Sequence, residues 1–217
     1  MLLKVLAGLL LCASGAGGIP VSTAIPEPAI APGTWELKFR YQDPQKISVV
    51  VPGQREPVVY WYMLYSVQNP TGQEVDFYPK FELVTDTLQV IESEVRVSPE
   101  AFRAIKRRSN NPLLITPEMV TGKLLQGEDR QRHSVAIWRN VDPKARAFTI
   151  YVAGLSGEMT RLKNPAFNPG EPESAKNQRY FNLRKTLAIP YRLPGGESTR
   201  NLAVPERLLG EEKWIMR

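Results

Sequence analysis

The ten residues 58–67 constrain the fold of this chain more than any other segment. Val59, Trp61, Met63, Tyr65 and Val67 fall on one face of an extended strand, and Val58, Tyr60, Tyr62 and Leu64 on the other. Successive strand side chains point to opposite sides of the sheet, so a run that is apolar on both faces must be covered twice. β-Branched and aromatic side chains suit such a buried, pleated surface. The pattern predicts a central strand, with a second sheet over one face and a loop, helix or partner over the other.

Period-2 patterning recurs along the chain. Trp35, Leu37, Phe39 and Tyr41 alternate with Glu36, Lys38 and Arg40. A short β-branched strand follows at 47–51 and ends at Pro52-Gly53. Asn69-Pro70-Thr71-Gly72 reads as a turn, which makes 75–84 the returning strand of a long hairpin with 58–67. Residues 88–97 alternate again, with Glu92, Glu94 and Arg96 as the polar stripe. Further strands are expected at 113–115, 120–125, 134–139 and 147–155, the last two forming a pair. Pro165, Pro169 and Pro172 make 163–178 a loop, a strand lies within 179–192, and 212–217 reads as an edge strand. One helix is predicted over 99–108: Ser98 caps it, Pro99 occupies its first position, and Phe102 and Ile105 share a face.

Short strands, regular turns and a single helix predict a mainly β fold, an antiparallel β-sandwich immunoglobulin-like in general build, with a β-barrel as the alternative. The Cys…Trp…Cys spacing of antibody domains is absent, so the likeness is one of architecture. The expected organisation is a signal peptide over 1–24, a Pro-rich extended segment over 25–33, the sandwich over 34–162, and a loop plus C-terminal strand extension over 163–217.

The signal peptide rests on Lys4 followed by an apolar and small-residue stretch too short to span a bilayer. Ser22-Thr23-Ala24 and Ser14-Gly15-Ala16 are the alternative cleavage sites. Cys12 raises lipidation, although Leu11 before it is larger than an acylation site favours. Cleavage at either site leaves no cysteine, and with it no disulfide, thiolate nucleophile or Cys-ligated metal. The chain is expected to be exported (periplasmic, cell-surface or secreted) and to have no membrane span after cleavage.

The chemistry-bearing residues point away from catalysis. His133 is the single histidine, a poor basis for a zinc or copper site. Ser156 sits in Gly-Leu-Ser-Gly, a tight turn rather than a nucleophile elbow. Glu92 and Glu94 would share one strand face, where Arg96 continues a solvated stripe. No Walker loop, dinucleotide fingerprint or calcium loop occurs, so no cofactor, metal or catalytic residue is assigned.

Binding is the class left open, at two groups of residues. Tyr60 and Tyr62, two apart on one face, suit stacking on sugar rings or a protein partner unless the helix covers them. Lys106, Arg107 and Arg108 form the local peak of a chain of formal charge +6, at a helix end where cations also complement the dipole. The partners considered are an anionic envelope polymer, a glycan or a protein, and nucleic acid is not expected. An exported, non-enzymatic interaction module is the function read from this pattern, with a carbohydrate-binding module as the alternative and a hydrolase behind both.

The runs Tyr60-Trp61-Tyr62-Met63-Leu64-Tyr65-Ser66-Val67-Gln68-Asn69-Pro70-Thr71-Gly72, Ser134-Val135-Ala136-Ile137-Trp138 and Val152-Ala153-Gly154-Leu155-Ser156 resemble parts of uncharacterised secreted bacterial proteins with an immunoglobulin-like β domain. That resemblance implies export and a β domain, and nothing about chemistry.

Overall fold

The computed structural model describes residues 25–30, 33–196 and 203–217. The signal segment 1–24, with Cys12 and both cleavage sites, lies outside the described residues. In chain order the first strands are β1 (Lys38–Tyr41), β2 (Gln45–Val49), β3 (Val58–Gln68), β4 (Val75–Phe77), β5 (Lys80–Thr85) and β6 (Val90–Glu92). Helix α1 (Pro99–Ser109) follows, then β7 (Gly122–Leu124), β8 (Arg132–Arg139), β9 (Ala147–Ala153) and β10 (Met159–Lys163). β11 (Tyr180–Arg192), β12 (Glu206–Arg207) and β13 (Lys213–Met216) complete the fold.

These strands build an antiparallel β-sandwich with no closed barrel. In the smaller sheet β3 is central: β8 pairs along one edge, and β1 and β2 share the other. In the larger sheet β11 has β9 and β10 along one edge and β12 and β13 along the other, while β5 and β6 extend it beyond β9. Residues 163–217 are therefore no appendage; they supply β11, an interior strand of the larger sheet.

The double apolar character of β3 has two causes. Its inward face, Trp61, Met63, Tyr65 and Val67, packs on Phe81, Phe148, Ile150 and other residues of the larger sheet. Aromatic pairs link the layers: Trp61 meets Phe148 edge-on at 5.5 Å and Tyr65 meets Phe81 at 4.8 Å. On its outward face, Tyr60 and Tyr62 join Val135 and Ile137 of β8 beneath Ala101 and Ile105 of α1. The Ser98 hydroxyl accepts from the Ala101 amide at 3.4 Å, and Asn110 ends the helix in the left-handed region at φ 49°.

Three expectations fail where the chain changes sheets. Residues 75–84 break at Tyr78-Pro79: β4 pairs with β7, while β5 joins the larger sheet instead of folding back on β3. Within 88–97 only β6 is strand; the chain then crosses over, with Ser93 N–H donating to Phe81 and Glu94 N–H to Ile137 of β8 at 2.9 Å. Glu92 and Glu94 thus leave the common face expected of them. Glu92 lies 3.7 Å from Lys80 and Glu94 pairs with Arg139. Likewise β8 and β9 are not partners but belong to opposite layers.

A second crossing precedes β1. Leu37 N–H donates to the Leu155 carbonyl at 2.8 Å and Gly157 N–H to the Trp35 carbonyl at 3.0 Å, before β1 joins β3. The bend between β9 and β10 that receives this crossing requires Gly154 at φ +89°, where an added Cβ would lie 2.7 Å from the Tyr78 carbonyl oxygen. Gly154→Ala is expected to cost about 2 kcal/mol through the left-handed conformation and the clash. Urea unfolding checks this: the midpoint should fall with an unchanged slope, and an unmoved midpoint would contradict the close approach.

Candidate interaction face

The inward residues of β5, β9 and β11 are odd-numbered in β5 and β11 and even-numbered in β9. The alternate positions therefore face outward and form one continuous surface. Lys80 and Glu82 from β5 sit opposite Ala153 and Tyr151 from β9. Asn182, Arg184 and Thr186 from β11 follow, and Arg161 and Lys163 of β10 stand opposite Asn182 and Tyr180. Arg217 is bonded to Arg184 through both backbone groups, at 2.8 and 3.0 Å, so the two arginines are direct cross-strand neighbours.

This face has a surplus of cations. Lys80, Arg161, Lys163, Arg184 and Arg217 share it with the carboxylates Glu82 and Glu92. Glu82 takes Lys80 at 2.7 Å and also Arg217, whose guanidinium lies 4.2 Å over the Tyr151 ring. Burial pushes the Glu82 carboxyl up, but hydrogen bonds from Lys80 and Arg217 outweigh it and hold it below the usual carboxylate range. Arg161, Lys163 and Arg184 make no ion pair among the described residues. A groove of about 480 Å³ runs between Tyr78 and Arg184, over Ala153 and Thr186. Tyr78 stands at its rim, 66% exposed, positioned by the close backbone approach at Gly154.

No protein-family model, curated protein or solved structure matches this chain.

Tyr60 and Tyr62 are each 1% exposed, so the stacking platform expected of them does not exist; α1 covers it. The Tyr62 hydroxyl donates to Gln45 at 2.8 Å and is spent internally. Lys106 and Arg108 are likewise engaged, their side chains donating to the Leu114 carbonyl at 2.9 Å and the Lys46 carbonyl at 2.8 Å. Arg107 and Arg108 are both exposed, and Lys106 is half-buried. The basic run therefore fastens the helix to the sheet more than it offers a docking surface.

His133 lines a separate polar cleft of about 430 Å³ with Ser66, Ser109 and Gln131. Ser156 is 7% exposed, in the crossing opposite Glu36, and its hydroxyl accepts from the Glu158 amide at 3.2 Å. Among the described residues no three His, Cys, Asp or Glu side chains gather as a metal-binding group, and no helix is long and apolar enough to cross a membrane.

The face was missed in the sequence because Lys80, Arg184 and Arg217 lie far apart along the chain and meet only through strand register. The one local signal was the even-numbered polar series Asn182, Arg184, Thr186 within the final long strand.

Proposed function

We propose that this chain is an exported, non-enzymatic β-sandwich that serves as an envelope or extracellular interaction module and docks an anionic envelope polymer on the outer face of its larger sheet. The observation that carries this reading is the set of Arg161, Lys163 and Arg184 beside Lys80 and Arg217, with too few carboxylates on the face to neutralise them. A flat surface with an uncompensated charge of one sign attracts polymers of the other, and the attraction is screened within about 10 Å at moderate salt. The Lys4-led apolar leader supports export, which would bring this face into contact with envelope polymers.

The test is to express the full chain in a bacterial host, fractionate the cells, and pass the exported product over an immobilised polyanion. A shortened product outside the cytoplasm, retained at low salt and released as salt rises, is the expected result. An unprocessed cytoplasmic product would remove the export part, and passage of the product through the column at low salt would remove the docking part.

A further inference from the structure

Arg184 and Arg217 are direct cross-strand neighbours, and like charges so placed repel. Of the two arginines Glu82, which also holds Lys80, pairs with Arg217, while Arg184 stands exposed between Arg217 on one side and the 56% exposed Met159 on the other. The arrangement lacks one carboxylate, at a guanidinium whose fork geometry suits a carboxylate in two-pronged contact. Beside it the surface offers what a sugar ring uses. Tyr78 and Tyr180 are 66% and 45% exposed, Asn182 supplies an amide between Tyr180 and Arg184 on the same face of β11, and the groove over Ala153 and Thr186 links Tyr78 to Arg184. Aromatic faces take apolar ring surfaces, which a polymer of bare phosphates does not have.

We infer that the ligand is an acidic polysaccharide: a carboxylate of one sugar seats on Arg184 and the neighbouring rings lie against Tyr78 and Tyr180. This rests on the reading of the face as a polyanion dock and names the polymer class. Consecutive outward side chains on a strand stand about 7 Å apart, so Tyr180, Asn182 and Arg184 form a row along which an extended chain can lie.

The test compares polygalacturonate, inorganic polyphosphate, single-stranded DNA and neutral dextran as ligands in affinity electrophoresis. Wild type is set against Tyr78→Ala/Tyr180→Ala and against Arg184→Ala. All three positions are solvent-exposed, and thermal midpoints confirm folding. Polygalacturonate is expected to bind best, the double tyrosine variant to lose about tenfold for it while its polyphosphate binding is unchanged, and Arg184→Ala to weaken both. Equal or tighter binding of polyphosphate or DNA, indifferent to the tyrosines, would overturn the polysaccharide and leave the polyanion dock standing. Binding to none of the four would overturn both.

Discussion

Lys185→Met is expected to destabilise the protein by about 3 kcal/mol, a fall of roughly 10 °C in the thermal midpoint of a chain this size. Lys185 is an odd-numbered residue of β11 and so points inward, where the core gives way to the crossing that receives β1. Its side chain is 4% exposed, and its ammonium lies 2.9 Å from Glu36 and 3.5 Å from Glu158. It also ties down the Pro-rich segment: it donates to the Ala29 carbonyl at 3.5 Å, while the Ala29 amide donates to Glu158 at 2.7 Å. One Glu158 oxygen has no hydrogen-bond partner and depends on the ammonium 3.5 Å away for compensation. Removing the cation leaves two carboxylates facing each other, which is the costly way to break a buried ion pair.

The charge-neutral triple variant Lys185→Met/Glu36→Gln/Glu158→Gln should recover most of the loss, because no uncompensated charge then remains. A Lys185→Met protein as stable as wild type would show that solvent already satisfies both glutamates. The alkaline limb gives a second check. Burial lowers the Lys185 pKa, but Glu36 and Glu158 outweigh it and raise it above the ordinary lysine value. A group raised in the folded state contributes fully below its unfolded pKa and loses that contribution as pH rises through the folded one. Wild type should therefore lose stability in strongly alkaline solution more steeply than the triple variant.

The second large effect is on binding. Reversing charge at Arg161, Lys163 and Arg184 together is expected to cut affinity for an anionic polymer on the order of a hundredfold or more, since each Lys or Arg near an anionic surface contributes about 1 kcal/mol. None of the three is buried, and none makes an ion pair among the described residues, so the fold should tolerate the change. Reversal at Lys106, Arg107 and Arg108 should act differently. It would remove the side-chain bonds from Lys106 and Arg108 that hold α1 and so lower stability, with a smaller loss of polymer affinity.

What could be read before the structure was whatever depends on local periodicity. The two apolar faces of β3 predicted its central place, and Ser98-Pro99 located the helix to within a residue. The helix was also named as the element that would bury Tyr60 and Tyr62 if it lay over them, and it does. Pairing was not legible. Residues 75–84 alternate without interruption as far as side chains go, yet Pro79, with no N–H to donate, sits where the strand leaves one partner for another. The same holds for residues 88–97, where alternation persists through a crossing in which Ser93 and Glu94 bond to different sheets. Placing the basic face needed register across four strands, which no local pattern encodes. The lysine and arginine run at the end of α1 was conspicuous because its charges are adjacent in sequence, and adjacency is a poor guide to a surface built from strands.

Sedimentation of wild-type protein with isolated bacterial envelope fragments across a salt series, beside the Arg161→Glu/Lys163→Glu/Arg184→Glu variant, tests the docking face most directly. Wild type is expected to pellet at low salt and to be released as salt rises, while the variant stays in the supernatant throughout. Equal pelleting of the two proteins, or wild type that never pellets, would contradict docking on this face.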